Sequence, residues 1–354
     1  MKNTLFDLIN WVDPIDKTPL RMDILLEDQY GKPLYGALVK QNGKEAYPII
    51  DGVVLATSEF AAQQKGWLEK MGYEVPYEKI DEVFQASETV GSFGFQWNWD
   101  SEPRTDEDLT WRVAERYELN KQFYKDKIIL DAGCGAGDQT KWMHKCHAKA
   151  IVSIDLSDAI YVTEKKMREN TNFVAIRGDL TNLPIANDFF DFVYCEGVIQ
   201  HTQNSKNTVI ELTRVLKMNG DICATHYGYL PPVLSGFKPF LRRVIDTVFF
   251  YKRRERLVKW DQDKLFLYCG VLAWLAHLPV LGYFVRKSRL AIHNPRMLNF
   301  KATWCNTYDC YGTHTYQREI SSDEFRSLFD FKEEYKMNLL FEKESALHLK
   351  KTQK

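Results

Sequence analysis

The chain has 354 residues, 45% of them hydrophobic and 14% aromatic, which allows a large core with appendages. A formal net charge of −1 excludes a global electrostatic pull towards nucleic acid or an anionic membrane. Seven cysteines, an odd number with no C-x-x-C pair, argue against both a disulfide framework and a zinc ribbon.

The N-terminus, Met1 to Asp7, has no long apolar run and no cleavage site, so the cytoplasm is the expected address. Residues 1–57 read as a small β-rich domain. Asp13-Pro14 and Thr18-Pro19 punctuate a loop, and Gly31-Lys32-Pro33 and Asn42-Gly43 mark turns. Ala46-Tyr47-Pro48-Ile49-Ile50-Asp51-Gly52-Val53-Val54-Leu55 closes the unit. This stretch resembles the small zinc-ribbon-like domain that activates several methyltransferases. Asp13 and Asp16 stand where that domain has cysteines, so the resemblance comes without its metal site. Residues 58–126 read as a polar helical arm, interrupted by Gly91-Ser92-Phe93-Gly94-Phe95-Gln96-Trp97-Asn98-Trp99. The spacing predicts an amphipathic helix over 111–119.

The next stretch organises the whole chain: Lys127-Ile128-Ile129-Leu130-Asp131-Ala132-Gly133-Cys134-Gly135-Ala136-Gly137-Asp138. A short β-branched run reads as a buried strand. Three alternate glycines let the backbone turn with positive φ and approach a ligand closely. Helical spacing from Gln139 then puts the loop at a helix N-terminus, the nucleotide-site geometry of an open α/β sheet. The dinucleotide fingerprint G-x-G-x-x-G fails at Asp138, and a Walker loop would need the absent Gly-Lys-Ser/Thr. The pattern D-x-G-x-G-x-G resembles the first motif of class I S-adenosylmethionine-dependent methyltransferases.

Three further strand-end acids follow in order. Ala150-Ile151-Val152-Ser153-Ile154-Asp155 ends at the offset expected for a carboxylate on a ribose hydroxyl. Phe173-Val174-Ala175-Ile176-Arg177-Gly178-Asp179-Leu180 ends in another acid, which the resemblance places on the adenine amino group. Phe190-Asp191-Phe192-Val193-Tyr194-Cys195-Glu196-Gly197-Val198-Ile199-Gln200-His201 resembles the family's "FDxVxxxxVLHH" segment. A helix over 208–216 and the turn Lys217-Met218-Asn219-Gly220 then lead into a fifth strand. The resemblance implies an α/β fold: a Rossmann-like seven-stranded sheet with helices on both faces, its core over 127–228. It implies S-adenosylmethionine as cofactor, held by Asp131, Gly133, Gly135, Gly137, Asp155, Leu156, Asp179, Leu180 and Glu196. An "FGYQW" segment ahead of the core in a subgroup adds Gln96 and Trp97.

Residues 229–300 depart from a minimal domain of this kind. No residue between Lys264 and Arg286 is formally charged, long enough in principle to span a bilayer. Gly270, His277, Pro279 and Gly282 interrupt the stretch, so a helical lid is the first reading and a membrane-touching surface the second. Residues 301–354 are expected to complete the sheet. Thr303 to His314 resembles another subgroup segment, Ser321-x-x-Glu324 is a capping box, and 332–340 and 345–351 read as the closing hairpin.

An oxygen acceptor benefits from a general base. His201, His226, Tyr227, Asp309, Tyr311 and His314 are the candidates, with His201, His226 and Tyr311 taken as catalytic. The Asp/Asn-Pro-Pro-Tyr/Phe signature of amine methylation is missing after the fourth strand, and no basic, aromatic-interleaved tract suggests nucleic acid. His144-Lys145-Cys146-His147 lacks a second ligand cluster, so no metal site is expected. The expected acceptor is a small molecule, a glycan or a lipid-linked compound. The rival reading is a non-catalytic methyltransferase-fold partner of another subunit; oligomeric state is not readable.

Overall fold

The structure, a computed structural model, describes residues 4–41, 43–76, 104–226, 252–257, 259–288, 290–292, 299–311, 320–330, 335–343 and 345–353. The chain divides into two compact units, one of residues 1–85, 103–228 and 316–354 and one of residues 86–102 and 229–315.

The first unit is built on one mixed sheet. Its strands are β1 (Leu20–Glu27), β2 (Pro33–Lys40), β3 (Ala46–Ile50), β4 (Val53–Leu55), β5 (Ile128–Ala132), β6 (Ala150–Asp155), β7 (Phe173–Arg177), β8 (Phe190–Glu196), β9 (Leu216–Thr225), β10 (Tyr335–Lys343) and β11 (Ala346–Gln353). Their order across the sheet is β1-β2-β3-β4-β7-β6-β5-β8-β9-β11-β10. Strands β5 to β9 run parallel, and β11 and β10 close that side antiparallel. Parallel strands covered on both faces read as unbroken apolar runs, which is why β6 and β7 are buried almost throughout.

Residues 1–57 do not stand apart as an independent domain. Strand β4 pairs in parallel with β7, Val53 opposite Ala175, so the N-terminal strands extend the sheet at that edge. Phe6, Trp11, Leu38 and Tyr47 share one core with Leu130, Val152, Val174 and Val193. The alternate residues Ile129, Ile151, Ala175 and Phe192 face the other way, towards Tyr124 and Trp142. Asp13 and Asp16 build a hydrogen-bonded turn. Asp13 Oδ1 accepts from the N–H groups of Ile15 and Asp16, and Lys40 Nζ lies 3.2 Å from Asp13 and 3.0 Å from Asp16.

Two boundaries shift from expectation in this unit. The helix ahead of the first core strand is α1 (Asp106–Val113), capped by Thr105 accepting from Asp108 N–H, and it ends before Leu119. A single 3-10 turn, Glu115–Tyr117, follows it, and the chain leaves that turn at Glu118, whose φ of 57° cannot continue a helix. The expected turn at 217–220 is absorbed into β9 as an irregularity centred on Asn219, with φ of 64°. The helices that carry the site are α2 (Asp138–Lys145), α3 (Ala159–Met167) and α4 (Ser205–Val215).

The second unit is helical where it is described. Its longer helices are α5 (Gln262–His277), α6 (Leu281–Lys287) and α7 (Phe300–Tyr311). Asp261 caps α5, accepting from Asp263 and Lys264 N–H. Residues 300–311 therefore belong to this unit and not to the sheet, which corrects the expected boundary at 301. Thr303, Thr307, Tyr308 and Tyr311 are buried at helical spacing, and Trp304 stacks on Phe266 at 4.6 Å while donating to its carbonyl. Among the described residues no helix is long and apolar enough to cross a membrane.

Candidate active site at the carboxyl edge of the sheet

The loop between β5 and α2 has all three glycines in the left-handed region, Gly133 at φ 78°, Gly135 at 53° and Gly137 at 78°. Space also demands glycine at two of them. A Cβ on Gly133 would lie 2.3 Å from Val198 Cγ2, and one on Gly137 would lie 2.5 Å from Thr163. The turn after β8 is thereby seated on the loop.

The loop's amides are used within the chain. Gly133 and Cys134 N–H both donate to the Ile154 carbonyl at 2.7 and 3.2 Å, and Gly137 N–H donates to the Cys134 carbonyl. Gly135 N–H donates to Asp155 Oδ2 at 2.8 Å. From α3, Thr163 donates to the Gly135 carbonyl, and Lys166 donates to the Ala136 carbonyl and pairs with Asp138 at 2.7 Å. With those four N–H groups committed, the loop presents no amide cradle there for a pyrophosphate. Asp155 beside it repels phosphate further, while Asp138 is neutralised by Lys166.

Asp155 ends β6. Its Oδ1 accepts from Ser157 N–H and Oγ at 2.8 and 2.7 Å, and its Oδ2 takes Gly135. Burial raises its pKa, against these three hydrogen bonds. A carboxylate offers about four lone-pair sites, so one acceptor position remains for a ligand hydroxyl. Asp179 Oδ1 accepts from Thr181 N–H at 2.8 Å; Leu180 is buried and Leu156 half-buried.

Two of the expected cofactor contacts are bracing groups. Asp131 is buried and its Oδ2 accepts from Thr140 of α2 at 2.5 Å, tying that helix to β5. Desolvation pushes its pKa up to about 7. Glu196 ends β8 between two guanidinium groups, 3.1 Å from Arg112 and 3.2 Å from Arg116, and accepts from Tyr194 OH and Gln139. Burial alone would raise its pKa, but Arg112 and Arg116 outweigh it and hold the carboxyl below its ordinary value.

Of the expected catalytic groups, His201 sits half-buried in the short turn Ile199–His201 after β8. His226 follows β9, buried, its ring 4.5 Å from Phe325. Tyr311 lies buried in the helical unit with its hydroxyl hydrogen-bonded to Arg253. Gln96, Trp97, Tyr227 and His314, and the side chain of Asp309, lie outside the described residues.

Sequence reasoning missed Thr163, Val198 and Gln200. The last is the most telling. Gln200 is fully buried in the turn that rests on the glycine loop, and among the described residues neither its Oε1 nor its Nε2 has a hydrogen-bond partner. Each such orphan costs about 1–3 kcal/mol. A lone glutamine in an apolar run gives no sequence signal that it will be buried.

Residues 130–224 match the family described as Methyltransferase domain. The chain is 30% identical over 116 residues to a demethylmenaquinone methyltransferase of Staphylococcus saprophyticus, covering 32% of this chain and 49% of that protein. It is 32% identical over 119 residues to a malonyl-[acyl-carrier protein] O-methyltransferase of Legionella pneumophila, covering 33% of this chain and 41% of that protein. The chain thus spans half or less of the length of these curated relatives. A crystal structure of an S-adenosylmethionine-dependent methyltransferase from Mesorhizobium loti is 21% identical, covers 39% of this chain and 61% of that one, and superposes with a TM-score of 0.31. At that score the likeness adds nothing to the family match.

Proposed function

We propose, for a chain whose residues 130–224 form a methyltransferase domain with S-adenosylmethionine as its cofactor, that the protein methylates an oxygen of a small-molecule, glycan or lipid-linked acceptor. The residues present fit the cofactor. Gly133 and Gly137 keep clear the space a Cβ would fill, Asp155 keeps one acceptor position for a ribose hydroxyl, and Asp179 at the next strand end suits the adenine amino group. When bound, the cofactor supplies an electrophilic methyl group on a cationic sulfur. The chain's own residues then have to orient the acceptor and exclude water.

The observation that carries the acceptor half of this reading is Gln200. Its amide offers a donor and an acceptor without a partner among the described residues, in a buried turn whose Val198 abuts the glycine loop. A ligand presenting a complementary donor and acceptor satisfies both atoms at once. His201, the next residue, is the general base in this reading, taking the proton from the acceptor hydroxyl.

The test is a panel of hydroxylated small molecules, sugars and lipid-linked sugars incubated with radiolabelled cofactor, followed by Gln200→Leu on whichever compound takes up label. Gln200→Leu should keep cofactor affinity and melt at the same temperature or higher, since it removes two orphaned groups, while transfer falls about 10- to 100-fold. Transfer at the unaltered rate and KM would remove Gln200 from the acceptor site.

A further inference from the structure

In the helical unit, α5 is apolar on two sides. Leu265, Cys269, Leu272, Ala273 and Ala276 are buried in the unit's own core. Leu267, Val271 and Trp274, at the i, i+4, i+7 spacing of a single stripe, are 65%, 49% and 56% exposed. The turn and α6 continue in the same manner, with Val280 at 78%, Phe284 at 61% and Tyr283 at 54%. A helix apolar all round belongs in a core or against lipid, and an exposed stripe of this size on a chain by itself calls for a cover.

The charges say which cover. From Lys252 to Arg289 there are nine Lys and Arg against three Asp and Glu, although the whole chain carries −1. The apolar stretch between Lys264 and Arg286 has no formal charge. Lys264 borders it at one end beside Asp261 and Asp263, and Arg286 and Lys287 border it at the other, with Lys287 lying 5.7 Å over the Tyr283 ring. Trp274 and Tyr283 are aromatics with a polar tip, the type favoured at the headgroup level. The surplus of Lys and Arg along the segment leaves its border basic as a whole. An anionic surface complements the rim and receives the apolar stripe.

We propose that the outer face of α5 and α6 docks on an anionic lipid bilayer, lying in its interface. The 16-residue α5 is about 24 Å long, short of the roughly 30 Å hydrocarbon layer, so it rests on the membrane and does not span it. The docking stands independently of which acceptor is methylated.

Flotation of the full chain with phosphatidylcholine vesicles, with and without phosphatidylglycerol, tests this. The protein should float with the phosphatidylglycerol vesicles, and binding should weaken as salt rises. The triple variant Leu267→Glu, Trp274→Glu, Phe284→Glu should lose binding by about a hundredfold, while circular dichroism and cofactor affinity stay unchanged. Lys264→Glu with Lys287→Glu should weaken binding about tenfold on the anionic vesicles alone. Failure of the unaltered chain to float, equal binding to neutral vesicles, or a dimer in solution that the triple variant dissolves would overturn the proposal.

Discussion

The glycine loop and the outer face of α5 hold their side chains and amides in opposite states. In the loop, the amides of Gly133, Cys134, Gly135 and Gly137 all have partners within the chain, and two glycines sit where a single methyl would collide. On α5, Leu267, Val271 and Trp274 are about half or more exposed to water. A site built for one small ligand is determined by what surrounds it, so small changes there have large effects. A surface suited to a broad partner is underdetermined by its own chain, and single changes there leave the fold untouched.

The largest expected effect is at the loop. Gly133→Val puts a β-branched residue at φ 78° against Val198. Binding of S-adenosylmethionine should fall beyond calorimetric detection, more than about a hundredfold, and stability should drop by about 1–3 kcal/mol from the backbone alone. A variant that melts with the unaltered chain and keeps its affinity would show that the loop has room the structure does not have.

Two carboxylates beside the loop sharpen the comparison because their pKa values move in opposite directions. Asp131 is raised from 3.8 to about 7, so the folded chain holds a proton there that the unfolded chain releases. Stability should therefore decline as pH rises from about 4 to about 7, and Asp131→Asn should flatten that decline. Glu196 is held below 4.5 by Arg112 and Arg116, so its contribution is present above pH 4.5 and lost as pH falls below it. Glu196→Gln should destabilise the chain at neutral pH and converge with the unaltered chain in acid. Urea melts of the three proteins across pH 3.5–8 check both slopes.

The smallest effect belongs to the exposed helix. Trp274→Ala should leave the unfolding free energy from urea melts within about 0.5 kcal/mol of the unaltered chain. A loss of several kcal/mol would mean that the ring is packed, and that the two regions are alike.

Legibility in the sequence follows the same division. The loop and strands β5 to β9 could be read because their constraints are local: apolar runs closed by acids, and glycines at fixed intervals. Glu196 was legible as a strand-end acid but not as the partner of Arg112 and Arg116, some eighty residues upstream. The N-terminal turn was legible from Asp13-Pro14 and Thr18-Pro19, yet Lys40 as the cation beside Asp13 and Asp16 was not. Residues 301–311 read as part of the sheet's completion, although Thr303, Thr307, Tyr308 and Tyr311 mark the buried face of a helix. Gln200 had no pattern to betray it, since its meaning lies in its having no partner among the described residues.

The central claim is that the loop after β5 and the carboxylate that ends β6 together hold S-adenosylmethionine. Calorimetric titration of the unaltered chain and of Asp155→Ala tests it directly. The unaltered chain should bind S-adenosylmethionine one to one and show no heat with NAD, and Asp155→Ala should bind about tenfold to a hundredfold more weakly, the loss of a charge-assisted hydrogen bond. Equal affinity in the two proteins, or saturable binding of NAD, would contradict it.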